Sequence, residues 1–283
     1  MLKIVKSSVS IILNCGIGNI LCLIANGIHI ANQNGCKVEV AFIDMGKAHD
    51  GLMAYRGAAF FPKIYQPFGG HLFPKYPIEE FFPNIKFVYQ IPFDKHIEHG
   101  VCHYNFDSFQ KHSRNIYNCG FWNFDFVEQL PNIIKSFSIN SKIAASIDEK
   151  YESLDFSCPC MHLRLGSSGD FVDITNRKSN KDIIARYLCN LSSKAYVLSD
   201  NYTAACEFFN TLSPKPRATI LIINESCCLT SLYLMSKFKL QLLSKSTFAM
   251  WAAFLSQGAK IWVMPEFEDG LHRKLESWEQ YPC

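Results

Sequence analysis

No two cysteines in this chain are spaced C-x-x-C, and neither a G-x-x-x-x-G-K-[ST] loop nor a G-x-G-x-x-G turn occurs in it. Those absences exclude the common zinc-ribbon and thioredoxin patterns, the Walker-type phosphate grip and the dinucleotide fingerprint. A basic stripe with interleaved aromatics is missing as well. With 28 Lys and Arg against 25 Asp and Glu, the formal net charge is only +3, too little for the electrostatic footprint of a nucleic-acid binder. There is no internal repeat and no low-complexity tract, which sets aside solenoids and flexible arrays. Any anion this protein binds is expected to be small.

What the chain does have is apolar bulk. Its 283 residues are 48% hydrophobic and 14% aromatic, enough to fold as one large domain or two medium ones. Twelve cysteines are scattered without the density of a disulfide scaffold, as expected of reduced thiols in a cytosolic, soluble protein. His96, His99, Cys102 and His103 lie close together. Their spacing fits no standard metal site, so they read as surface or acceptor-groove residues and no metal is expected.

Residues 9–31, VSIILNCGIGNILCLIANGIHIA, carry no formal charge and are about long enough to span a bilayer. One alternative is therefore a membrane anchor of the secretory pathway. The reading that explains more of the segment is a β-α-β unit. SVSIILN forms a strand, CGIGN a tight turn, ILCLIANGIHIANQNG an amphipathic helix stopped by Gly35, and KVEVAFID the next strand.

An aromatic, proline-rich stretch follows, with poor periodicity, and is expected to be irregular with short strands. A helix is expected to begin near Phe126, and the polar segment SKIAASIDEKYESLDFS reads as a hinge. The division is a first domain over 1–150 and a second over 151–283. In the second, apolar strands (CMHLRL, KAYVLSD, ATILIIN, LQLLS, KIWVMP) alternate with helical segments. That alternation predicts an α/β fold with a mainly parallel sheet covered on both faces.

Three strand ends in that half carry polar residues: His162 and Arg164, then Ser199 and Asp200, then Ser244 to Thr247. All would gather at the carboxyl edge of one sheet, where open α/β folds keep their ligands. Ser246 or Thr247 would cap the helix FAMWAAFLSQ, whose N-terminal amides suit a phosphate. Arginine, hydroxyls and a helix N-terminus together suit a pyrophosphate held without metal. Plainer roles stay open for each residue: an ion pair for Arg164, a loop acid or cap for Asp170, simple capping for Ser246 and Thr247, and chain turning for Gly16 and Gly18.

The ordered series CGIGN, GFWNFDFVEQL, HLRLG, YVLSD and LYLMSKFKLQLLSKSTFAMWAAFLS resembles the α-1,2-fucosyltransferase family and its wider superfamily. The resemblance covers most of the chain apart from about 50–110. It implies a GT-B-like fold of two Rossmann-type domains, with the acceptor side in the first and the nucleotide-sugar donor in the second. It also implies inverting, metal-independent glycosyl transfer, with L-fucose from GDP-fucose favoured and a glycan hydroxyl as acceptor. By position, Arg164 resembles the arginine that holds the donor pyrophosphate, with His162 beside it. Ser199 and Asp200 fall at the donor-domain strand end near base or ribose, and Ser246, Thr247 and Phe248 match the phosphate-binding turn. Gly16, Gly18 and Asn19 resemble the loop that closes over sugar and acceptor. Apart from the resemblance, Trp122, Phe61, Tyr65, Phe68, Phe73 and Tyr76 are read as either a stacking surface for acceptor sugar rings or filling of the first-domain core. Asp170 and Asp173, just after Arg164, are candidate bases.

The pattern is broken at Leu165, Ser231, Lys245, Ala249 and Met250, where the family has an arginine, an acid, an asparagine, a serine and a tryptophan. These breaks leave open another donor, such as UDP-xylose or a GDP- or UDP-linked rhamnose or hexose, and also a glycan-binding protein without catalysis.

Overall fold

The computed structural model describes residues 8–12, 17–41, 78–88, 96–100, 114–118, 124–165, 178–191, 194–213, 215–244, 246–256, 258–263 and 278–280. They fall into two compact units, one running up to Ser141 and the other from Lys142 onward.

The first unit opens as a β-α-β element: β1 (Ser8–Ile12), α1 (Ile17–Gln33) and β2 (Lys37–Ala41). Cys36 N donates to Ala31 O and Gly35 N to Asn32 O, closing α1 in a Schellman motif that needs the left-handed φ of 60° at Gly35. Gly18 and every residue from Ile20 to Ala31 are buried, Asn26 and His29 included. The amphipathic expectation is therefore corrected, because this uncharged stretch has no solvent face. No helix of the described residues is long and apolar enough to cross a bilayer.

A short helix, α2 (Ile78–Phe81), precedes β3 (Phe87–Val88), β4 (His96–Gly100) and β5 (Arg114–Asn118). The five strands are all parallel in the order β3-β2-β1-β5-β4, with β1 between β2 and β5. The helix expected near Phe126 is broken into a 3-10 turn (Asp125–Gln129), α3 (Leu130–Ile133) and a second 3-10 turn (Ile134–Phe137). Pro131 explains the break. With no N–H to give, it is tolerated only in a first turn, so the α-helix restarts there. Phe82 meets both Phe81 and Phe137 edge to face, at 4.9 and 5.6 Å between centroids.

The second unit begins with α4 (Ser141–Lys150), a helix where the polarity of the segment suggests a hinge. Its polar residues are its exposed face, while Ile147 is buried. The helix is fastened within the unit. Asp148 accepts from Tyr233 Oη at 3.0 Å and pairs with Lys237. Glu225 accepts from Lys150 Nζ at 2.8 Å, Tyr151 Oη at 2.5 Å and Cys227 N at 2.7 Å.

Strands and helices then alternate as predicted: β6 (Pro159–Leu163), α5 (Lys178–Cys189), β7 (Lys194–Ser199), α6 (Tyr202–Thr211), β8 (Thr219–Ile223), α7 (Cys228–Lys237), β9 (Leu240–Leu243), α8 (Thr247–Leu255) and β10 (Lys260–Val263). A further strand, β11 (Trp278–Gln280), joins the edge. All six are parallel, in the order β11-β10-β9-β6-β7-β8. The chain builds outward from β6 to β8, returns to set β9 on the other side of β6, and builds outward again.

Side chains alternate between the two faces of this sheet. Met161, Leu163, Val197 and Leu242 pack with Ile184, Tyr187 and Leu188 of α5 and Ala205 and Phe208 of α6. Cys160, His162, Tyr196 and Gln241 face the opposite side, where His162 meets Phe248 of α8.

Candidate functional site

The order of the second sheet reverses between β6 and β9, and at such a switch point the flanking connections part and leave a crevice beyond the carboxyl ends of the strands. Two of the three polar strand ends predicted to meet stand on either side of this point, and the third, at β7, adjoins β6.

On β6, His162 is 4% exposed and its Nδ1 lies 2.7 Å from Ser244 Oγ, just past β9. Its ring also rests on Phe248, 5.2 Å away between centroids. Burial, with the positive charge of Arg164 added, lowers its pKa to about 3, so the imidazole is neutral at physiological pH. Arg164 follows the last residue of β6, at the carboxyl edge of the sheet, and is half-buried. A guanidinium there offers two parallel donors to a phosphate without needing a metal.

The turn carrying Arg164 is braced from the neighbouring strand. Asp200, the residue after β7, accepts from Leu165 N through Oδ1 at 2.7 Å. Ser199 is buried, and its hydroxyl accepts from Asn201 N at 3.2 Å. Asn201 in turn caps α6 by accepting from Ala204 N at 3.0 Å. Sequence reasoning gives Asp200 a ligand role and does not foresee this brace. The backbone amide it holds leaves no trace in residue type or spacing.

Across the switch point, Ser246 is the N-cap of α8 with an extended backbone, φ −154° and ψ 129°. Its side chain makes no cap bond, and its Oγ is buried without a partner among the described residues. The amides of the first turn of α8, beginning at Thr247, are thus not closed off by the cap in the usual way. Helix N-termini carry a partial positive charge that favours an anion.

Several breaks in the motif pattern turn out to be packed positions. Leu165 is 6% exposed in the core shared with α5 and α6, so an arginine there would need a partner inside that core. Ala249 and Met250 are buried in α8, and the neighbouring Trp251 is a fully buried core residue edge-on to Phe254. Ser231 is buried on α7, with no partner for its Oγ among the described residues.

In the first unit, Gly18 and Asn19 lie in the first turn of α1, directly after β1, and β1 is also where that sheet reverses order. Gly16, Trp122, Asp170, Asp173, Lys245, Cys102, His103, Phe61, Tyr65, Phe68, Phe73 and Tyr76 lie outside the described residues. Among the described residues no group of three or more His, Cys, Asp or Glu side chains is placed to hold a metal ion.

No family profile and no curated protein matches this sequence. Solved structures do. The fucosyltransferase NodZ from Bradyrhizobium is similar over 89% of this chain and 94% of its own, at 15% identity and TM-score 0.51. The α-1,6-fucosyltransferase NodZ co-crystallized with GDP gives 16% identity and TM-score 0.52 over 89% of this chain and 93% of that one. POFUT1 in complex with GDP gives 12% identity and TM-score 0.52 over 90% and 95%. At these identities the likeness speaks for architecture: the chain has the α/β, GT-B-like fold of the fucosyltransferases, built on two parallel sheets.

Proposed function

We propose that this protein is a glycosyltransferase that takes its sugar from a nucleoside diphosphate donor, with GDP-fucose favoured, and passes it to a glycan hydroxyl with inversion and without a metal. The reading is carried by one observation. Arg164, the neutral His162 and the N-terminus of α8, where Ser246 Oγ has no partner among the described residues, all stand around the switch point between β6 and β9. Negative charge develops on the departing diphosphate, and a fixed guanidinium and helix amides stabilise it where it forms. The second unit is then the donor domain and the first, with Gly18 and Asn19, the acceptor side. Asp170 and Asp173 remain the candidate bases. The GDP bound in the similar NodZ and POFUT1 structures supports guanine as the base, and the motif order supports the α-1,2 branch.

The test is a thermal-shift and calorimetric titration with GDP, UDP, CDP and ADP in the presence of EDTA. A ligand at a hundred times its dissociation constant adds roughly 2.7 kcal/mol of stability. GDP is expected to bind, and Arg164→Ala to abolish it. In turnover with GDP-fucose, the loss from Arg164→Ala is expected to be about 10²-fold or more. Binding of UDP in place of GDP would keep the mechanism and change the sugar. Binding of no nucleotide would overturn the proposal.

A further inference from the structure

The pair formed by His162 and Ser244 has a property that the nucleotide reading does not require. Ser244 is 3% exposed and lies in the loop between β9 and α8. Its hydroxyl has one proton, and His162 Nδ1, at 2.7 Å, is its only hydrogen-bond partner among the described residues. A buried hydroxyl proton with no acceptor loses its bond to water and gains none in return. If the ring were to donate from Nδ1, the Ser244 proton would be left in that position. If the hydroxyl donates and Nδ1 accepts, both groups are satisfied. A neutral imidazole accepting at Nδ1 carries its proton on Nε2.

The geometry points to Ser244 as a positioning residue that fixes His162 as the Nε2–H tautomer, so that a neutral, correctly oriented donor stands next to Arg164 in the crevice. Phe248 completes the seat: its ring lies against the imidazole at an interplanar angle of 35°. Ser244 and Phe248 flank the start of α8, so one short segment both orients the histidine and presents the helix N-terminus. The opposite tautomer would offer a lone pair at Nε2, which repels an anion. The fixed tautomer offers a hydrogen bond to it. Neutrality follows from the same enclosure, because burial and the adjacent guanidinium disfavour a second proton on the ring. What the donor would meet, a diphosphate oxygen, rests on the function proposed above; the tautomer does not.

Long-range proton–nitrogen correlation spectra of the ¹⁵N-labelled full chain read the tautomer directly, with His162 assigned by its loss in His162→Gln. The expected wild-type pattern is a protonated Nε2 and an accepting Nδ1. In Ser244→Ala that pattern is expected to shift towards a tautomer mixture and GDP to bind about tenfold more weakly, the loss of one net hydrogen bond. Ser244→Thr, which keeps the hydroxyl, is expected to restore both. Urea midpoints of the variants, compared with wild type, confirm that each is folded. A wild-type ring protonated at Nδ1, or a pattern unchanged in Ser244→Ala, would overturn the assignment. The spectra decide the role of Ser244 whether or not GDP binds, so failure of the nucleotide reading appears separately, as an absent titration with the tautomer pattern intact.

Discussion

Asp200 Oδ1 accepts from Leu165 N at 2.7 Å, which ties the residue after β7 to the turn after β6. The carboxylate therefore shapes the backbone that presents Arg164. Asp200→Asn, which keeps an acceptor oxygen, is expected to hold stability and GDP affinity within a few-fold of wild type. Asp200→Ala strands a backbone N–H and is expected to cost about 1–3 kcal/mol together with nucleotide affinity. Urea midpoints and a GDP titration check both. A loss of binding in Asp200→Asn with stability unchanged would instead assign the carboxylate to the ligand.

Ser246→Ala separates capping from binding. A serine N-cap replaced by alanine commonly costs about 1 kcal/mol. Here Oγ makes no cap bond, so the expected stability loss is below about 0.5 kcal/mol. GDP affinity is expected to fall about tenfold if the hydroxyl reaches a phosphate. A full capping loss without any change in affinity would return this residue to a purely structural role.

Acid sensitivity follows from His162. Its folded pKa, about 3, lies below the unfolded value of about 6.5. Between those two values the unfolded chain binds a proton that the folded chain refuses. Stability from the neutral ring is thus full above about pH 6.5 and is lost as pH falls through the window. Going from about pH 6 to about pH 5 should cost wild type about 1 kcal/mol more than His162→Gln. Urea midpoints at the two pH values measure the difference.

Glu225 is the acceptor on which α4 is fastened to the loop before α7. Burial alone would raise its carboxyl, but hydrogen bonds from Lys150, Tyr151 and the Cys227 amide bring it below the ordinary value. Glu225→Ala leaves the Tyr151 hydroxyl and the Cys227 N–H without an acceptor and is expected to cost about 1–3 kcal/mol. Glu225→Gln is expected to cost less. Thermal melts of the full chain give the comparison, and both variants are expected to bind GDP as wild type does when measured well below their melting points.

The alternation after residue 158 was legible in the sequence because its strands are uninterrupted apolar runs and its helix ends are marked, as at Asn201. The strand-end reading of Arg164, His162, Ser246 and Thr247 was legible for the same reason, since strand order in parallel sheets puts such ends on one edge. Less visible was α4, whose polar surface imitates a linker until Ile147 is seen to be buried. The segment around Pro131 hides its break because apolar spacing continues through it. The three-residue strand β11 is too short for periodicity to register. The contacts Asp200–Leu165 and His162–Ser244 were out of reach, since one uses a backbone amide and the other joins residues 82 positions apart.

That separation bears on how the crevice comes into being. A nascent chain that has made only β6, α5, β7, α6 and β8 already carries Arg164 and its Asp200 brace, yet His162 lacks Ser244 and Phe248. The crevice is completed only when the chain doubles back and zips β9 onto the open side of β6, a non-local pairing of the kind that slows folding. Assembly of the crevice and closure of the sheet are one event, so under the proposed function GDP would bind the finished unit and not its first half. Nucleotide binding by C-terminally truncated chains would report directly on when that zipper closes.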